Sequence, residues 1–237
     1  MGTEGLASIP NAHYQTYHYS ATYDLACRGS VATMRAIGLI DLGMSNLGSV
    51  TRMIKKGGGK SEIVSKADQI KNYHKLILPG VGHFDQGVAN MKERSLDIAI
   101  KKHVLQNACP ILGICLGMQL LCIRSEEGAE DGLALFDAEV VRFSFPEEQR
   151  LKIPHMGWND LKVLRKNPIL DEGCEQRFYF VHSYFVRPRD PVNQIASANY
   201  GGDFCAAIQK DHIFGAQFHP EKSHQFGLQL MRKFIEL

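Results

Sequence analysis

Cys109-Pro110-Ile111-Leu112-Gly113-Ile114-Cys115-Leu116-Gly117-Met118-Gln119-Leu120-Leu121 is the stretch whose reading decides the fold. Residues 111–114 form an apolar run entered through a proline, the pattern of a strand buried on both faces, and residues 117–122 resume with helical character. Cys115 falls on the turn between them. Gly113 and Gly117 flank it in the G-x-C-x-G form of a nucleophile elbow, in which small neighbours let strand and helix pack closely while the central side chain is held outward on a strained turn. The unpaired amides and positive dipole end of the following helix favour a thiolate there. A free cysteine otherwise packs as a small hydrophobe, so the elbow acquires chemistry only if a base reaches it.

Upstream of the elbow the sequence alternates strands and helices. Residues 36–40 read as a buried strand, 41–45 as a loop, and 46–56 as a helix with Leu47, Val50, Met53 and Ile54 on one face, stopped by three glycines at 57–59. Short strands follow at 62–64 and 75–78, the second closing at Pro79-Gly80-Val81-Gly82, and then helices at 84–93 and 95–106. This rhythm predicts an α/β fold, an open and mostly parallel sheet flanked by helices. Sites in such sheets form at the carboxyl ends of the strands. The glycine loop and Cys115 would share that edge, where a backbone N–H of the Val81-Gly82 loop and that of Leu116 can form an oxyanion hole.

Beyond the elbow, short alternating segments at 138–143, 161–164, 177–181, 194–198, 204–209 and 213–217 predict added strands, several of them antiparallel. Residues 153–159, with the single tryptophan, read as a compact loop, and residues 227–236 as the last helix. The base lies just before that helix. In Gln217-Phe218-His219-Pro220-Glu221-Lys222 a proline locks the backbone between His219 and Glu221, so that the carboxylate can orient the imidazole while the imidazole accepts the thiol proton. His219 follows Cys115 by 104 residues, so the two meet only if their strand ends share one edge. His83, His155 and His182 are rivals by position, but none has a carboxylate locked beside it.

Composition narrows the alternatives. A chain of 237 residues, 44% apolar and 22% charged, can bury a full core in one domain. A net charge of +2 without a Lys/Arg cluster gives no reason to invoke nucleic acid or an anionic membrane. The longest apolar stretch, 111–123, is too short to cross a bilayer. Six scattered cysteines (Cys27, Cys109, Cys115, Cys122, Cys174, Cys205) lack zinc-site spacing and disulfide density, which fits a reducing compartment. With no signal peptide apparent, a cytoplasmic location is expected. Residues 1–34, rich in Tyr, His, Ser, Ala and Thr without a sustained period, read as a poorly ordered or expression-derived extension, with Met34 as a candidate natural start and 35–237 as the functional domain.

Three motifs in order, Gly113 to Leu121, Pro79-Gly80-Val81-Gly82 and Gln217 to Lys222, resemble class I (triad) glutamine amidotransferases. Within that class, Pro154-His155-Met156-Gly157-Trp158-Asn159 and Tyr179-Phe180-Val181-His182-Ser183-Tyr184 are similar to the glutaminase subunits of imidazole glycerol phosphate synthase. The resemblance covers about residues 36–237 and implies a flavodoxin-like fold. It implies Cys115, His219 and Glu221 as catalytic residues, Val81, Gly82 and Leu116 at the oxyanion, and Gly80, Gln119, His182, Ser183 and Tyr184 around L-glutamine. Asn46, His155, Met156, Trp158, Tyr179 and Lys222 would meet a barrel-shaped cyclase subunit in a heterodimer, which receives the ammonia and forms the imidazole ring in histidine biosynthesis. No metal or cofactor is implied. Other readings keep the chemistry with a different acceptor, an amino or acetamidino sugar of a surface polysaccharide, or remove the chemistry and leave a silent interaction module. A cysteine hydrolase of peptides is a third.

Overall fold

The computed structural model describes residues 35–237, and the expected extension at 1–34 lies outside the described residues. The parallel half begins with β1 (Ile37–Ile40), α1 (Leu47–Lys56), β2 (Ser61–Val64), β3 (Leu76–Gly80), α2 (Phe84–Glu93) and α3 (Leu96–Gln106), followed by β4 (Ile111–Cys115) and α4 (Leu116–Leu120). The chain continues through β5 (Arg124–Ser125), β6 (Ala138–Arg142), β7 (His155–Val163), β8 (Gln176–His182), β9 (Tyr184–Pro188), β10 (Gln194–Asn199), β11 (Asp203–Lys210), β12 (Ile213–Ala216) and α5 (His224–Glu236).

The strands form one open mixed sheet in the order β2-β1-β3-β4-β12-β11-β10-β7-β8, with β9 paired to β11 and β6, and β5 paired to β6. From β2 to β12 neighbours run parallel, while β12-β11, β11-β10, β10-β7 and β7-β8 are antiparallel. The expected parallel sheet is therefore the half that carries the elbow, and the added antiparallel strands continue it.

The central strands are apolar at every position because both faces are covered. Leu76, Leu78 and Ile111 pack with α2, α3 and α4 through Phe84, Val88, Met91, Leu96, Ile100, Val104, Met118 and Leu120. Ile77, Leu112 and Ile114 pack on the opposite face with α1 and α5 through Val50, Ile54, Leu230, Met231 and Phe234. Full burial of each such side chain contributes roughly 1.5–3 kcal/mol. Helix boundaries follow local chemistry: the Asn46 side chain accepts the Ser49 N–H at the start of α1, and the buried Lys75 ammonium donates to the Ile235 carbonyl near the end of α5. Among the described residues no helix is long and apolar enough to cross a membrane.

Two segments differ from the expected strand plan. The predicted tryptophan loop is the beginning of β7, whose exposed positions carry Met156 and Trp158, so its alternation runs apolar-out and hides the strand from a pattern that assumes apolar-in. Strand β9 leaves β8 with only Ser183 between them, too little to punctuate the sequence.

Candidate active site

The elbow forms as the glycine pattern requires. Cys115 ends β4 with φ 54 and ψ −112, a backbone conformation costly for a residue with a Cβ and held here by the strands on either side. Helix α4 approaches so closely that a Cβ on Gly117 would lie 1.7 Å from the Leu78 carbonyl oxygen. Gly117→Ala is therefore expected to lower stability by about 3 kcal/mol or more, at the top of the overpacking range, read as a drop in the urea midpoint at unchanged slope. The helix is only five residues long, shorter than the sequence predicts, so it supplies first-turn amides more than an extended dipole. Leu116 is its first residue, and its N–H has no acceptor within the helix.

Parallel register brings the remaining parts to one edge. Gly80 is the direct partner of Cys115 across β3-β4, and Ala216 of Ile114 across β4-β12, so the chain leaving β12 passes beside the thiol and delivers His219. His219 Nδ1 donates to Glu221 Oε1 at 2.7 Å, and both side chains are buried. The buried Nε2 faces Cys115 without a fully formed hydrogen bond, a loose nucleophile-to-base arrangement common before substrate enters. Burial works against charging this imidazole, but the pull of Cys115 and of Glu221 on its two nitrogens outweighs it and lifts the pKa to about 10. A proton held on His219 beside the Cys115 sulfur is the arrangement that can be delivered to a leaving amine.

Cys115, only 6% exposed, opens into a cavity of about 280 Å³. The expected Val81, Gly82, Leu116, Gln119, His182, Ser183 and Tyr184 line it, together with Pro154, Val181 and Glu127. Its size is at the low end for ligand sites and leaves no room for an extended peptide. Gln119 donates to the Tyr184 carbonyl at 3.1 Å and to Gln217 Oε1 at 3.2 Å, and Gln217 Nε2 lies 3.8 Å from Cys115 Sγ. Gln119 is thereby fixed as a wall of the cavity.

His182 and His155 form a tautomer-locked pair. The Tyr184 carbonyl can only accept, so His182 Nδ1 donates to it at 2.8 Å, and His155 Nδ1 must then donate to His182 Nε2 at 3.1 Å. Burial lowers His155 to about 4 and His182 to about 3, the latter against the hydrogen bond to the Tyr184 carbonyl and with help from the charge on His219, so both rings are neutral.

Not every expected residue sits where its role would place it. The Val81 N–H donates to the Met44 carbonyl at 2.8 Å and is turned away from the thiol, so in this state Val81 does not offer it to an oxyanion. Gly82 follows with φ +110 in the region that favours glycine. His155, expected on the partner face, is 3% exposed and stacks on Tyr200, so it supports that face from within. Of the other residues expected there, Met156 is 63% and Trp158 41% exposed, Trp158 stacks on His224, and Lys222 lies 5.5 Å over the Tyr179 ring. Asn46 is exposed at the start of α1. Glu127 and Gln217 were not singled out by the sequence. Glu127 is a lone loop carboxylate without a motif, and Gln217 reads only as a strand residue.

A strained cysteine at a strand end, an imidazole and carboxylate arriving from the adjacent strand, and a small, mostly apolar cavity with a few polar groups stand together at one edge of the sheet. The chain belongs to the class I glutamine amidotransferase family, whose model matches residues 38–237. It is 46% identical over 202 residues to imidazole glycerol phosphate synthase subunit HisH 2 of Pseudomonas aeruginosa, covering 85% of this chain and 99% of that protein. It is 48% identical over 201 residues to the subunit of the same name in Methanococcus maripaludis, covering 84% and 98%. A solved glutamine amidotransferase superposes with a TM-score of 0.68 at 20% identity, covering 85% of this chain and 97% of that one, a likeness of fold.

Proposed function

We propose that the chain is the glutamine-hydrolysing subunit of an imidazole glycerol phosphate synthase, as its HisH relatives are named. The observation that carries the reading is Cys115 at the mouth of a small cavity beside the buried His219-Glu221 pair. Cys115, its proton taken up by His219, attacks the side-chain amide carbon of L-glutamine, and the resulting oxyanion is received by the Leu116 N–H and the Val81-Gly82 loop. His219 gives its proton to the departing ammonia and then takes one from the water that cleaves the glutamyl thioester, with Glu221 holding the ring in the correct tautomer. Glu127, the one acidic residue lining the cavity among the described residues, receives the α-ammonium group, and the segment His182-Ser183-Tyr184 faces the rest of the substrate. The ammonia passes to a barrel-shaped cyclase subunit docked on the Met156, Trp158, Tyr179 and Lys222 face, where an exposed aromatic pair and a cation suit a protein interface.

Because the Val81 N–H is engaged by Met44, the isolated chain is a slow glutaminase. Cyclase and acceptor binding turn the Gly80–Val81 peptide toward the thiol, a flip that the glycines on both sides of Val81 permit. Steady-state glutamate release with and without the cyclase subunit and its acceptor checks this. At least about tenfold stimulation is expected, the size of an ordinary allosteric coupling, and equal rates contradict the reading. The competing reading keeps the chemistry and changes the acceptor to an amino or acetamidino sugar; the acceptor enzyme that stimulates the chain separates the two.

A further inference from the structure

The loop that carries Glu127 has almost no ladder of its own. It leaves β5 and runs along the start of α2, where two neighbouring residues reach for it. The Phe84 N–H donates to Glu127 Oε2 at 2.8 Å. Asp85 uses both carboxylate oxygens on consecutive amides of the loop, Oδ2 accepting from Ala129 N at 3.0 Å and Oδ1 from Glu130 N at 3.1 Å. Gly128 lies between these contacts, and a Cβ there would come within 1.9 Å of Asp85 Oδ1, so the clasp closes only over a residue without a side chain. Within the loop, Ser125 Oγ accepts the Glu127 N–H at 3.1 Å. The hydrogen bonds from Ala129 and Glu130 hold the Asp85 carboxyl below the usual carboxylate range, so it stays ionised through neutral pH.

We propose that Asp85 is a positioning residue for glutamine: by gripping the 129–130 amides it sets the loop so that Glu127 stands in the cavity wall with one oxygen tied to α2 and the other open to the substrate's α-ammonium group. Without Asp85 the 129–130 tip is left with the exposed Lys92–Glu130 pair, which contributes little, while the near side of the loop keeps the bond from the Glu126 N–H to the Val140 carbonyl and the contacts of Glu127 with Phe84 and Ser125. Glu127 then samples positions off the cavity, which weakens recognition of the amino-acid end of the substrate and leaves the thiol and its base untouched. The proposal rests on the reading of Glu127 as the ammonium anchor given above.

The test uses the full chain and two electrophiles whose attachment to Cys115 is followed by mass spectrometry. One is 6-diazo-5-oxo-L-norleucine, which carries glutamine's α-ammonium and carboxylate groups, and the other is iodoacetamide, which carries neither. Asp85→Ala is expected to raise KM for glutamine about tenfold with kcat within about twofold, since a weakened charged contact of ~1.4 kcal/mol is a factor of ten. Labelling by the norleucine reagent slows in proportion, while labelling by iodoacetamide does not change. Asp85→Asn, with one acceptor oxygen left, falls between, and adding Asp85→Ala to Glu127→Gln costs nothing further because both act on one contact. Gly128→Ala, which forces the same clasp open from the other side, repeats the pattern should Asp85→Ala fold poorly. An unchanged KM, or equal slowing of both reagents, overturns the proposal. A wild-type chain that neither hydrolyses glutamine with its cyclase nor reacts with the norleucine reagent overturns the glutaminase reading and this proposal together.

Discussion

Cys115→Ala is expected to lower cyclase-stimulated glutamine hydrolysis by about ten-thousandfold or more, to the residual rate that binding and oxyanion contacts alone sustain. The expectation follows from geometry. The thiol proposed as the nucleophile stands at the end of β4, it faces both the cavity and His219, and among the described residues no other cysteine lines that cavity. Cys109, Cys122 and Cys205 are buried with thiols pushed up by desolvation, the wrong direction for a nucleophile, and Cys174 is exposed away from the site. The side chain lost is small and sits on a backbone fixed by Gly80 and Ala216 neighbours, so the variant keeps its thermal midpoint. Rate retained within about tenfold, at intact fold, would remove the thioester from the mechanism.

Glu221→Gln is expected to lower kcat by about 10³- to 10⁴-fold and to move the alkaline limb of the pH profile down. In the proposed mechanism the protonated form of His219 is the acid for departing ammonia, and it persists until the pH approaches its pKa of about 10. Glu221 is buried, holds Nδ1 at 2.7 Å through one oxygen and leaves its other oxygen without a partner, so its charge acts on the imidazolium with little screening. A neutral amide removes that charge and can present an N–H to Nδ1, favouring the wrong tautomer, while burial continues to disfavour the charged ring. Activity in the variant should therefore decline at lower pH than in the native chain. Stability follows the same linkage. Because the folded pKa is raised above the unfolded value of about 6.5, the folded state binds the extra proton between them, so this contribution is complete below pH ~6.5 and is lost as pH rises toward 10. Denaturant midpoints from pH 6 to 10 should fall less steeply in Glu221→Gln than in the native chain.

What could be read without coordinates was whatever is local in sequence. The elbow lies within nine residues, and His219 and Glu221 lie on one short loop, so glycine spacing and a proline suffice to single them out as a candidate cluster. The register that unites the two clusters was inferred from strand order and is borne out by β12 lying beside β4. What escaped was written in contacts between distant segments. Asp85 and Glu127 are ordinary acidic residues until α2 and the loop after β5 are side by side. The engagement of the Val81 N–H by Met44 joins two loops whose sequences show only turns. The first part of β7 reads as a loop because it turns Met156 and Trp158 outward, against a pattern that expects apolar residues inside.

The position of β12 also constrains how the molecule comes into being. It is made last among the strands yet lies between β4 and β11, so the antiparallel half cannot join the parallel half until nearly the whole polypeptide has emerged. During synthesis the nucleophile is complete long before its base exists. A nascent or prematurely terminated chain thus carries a harmless thiol, and the capacity to consume glutamine switches on only with the closing insertion.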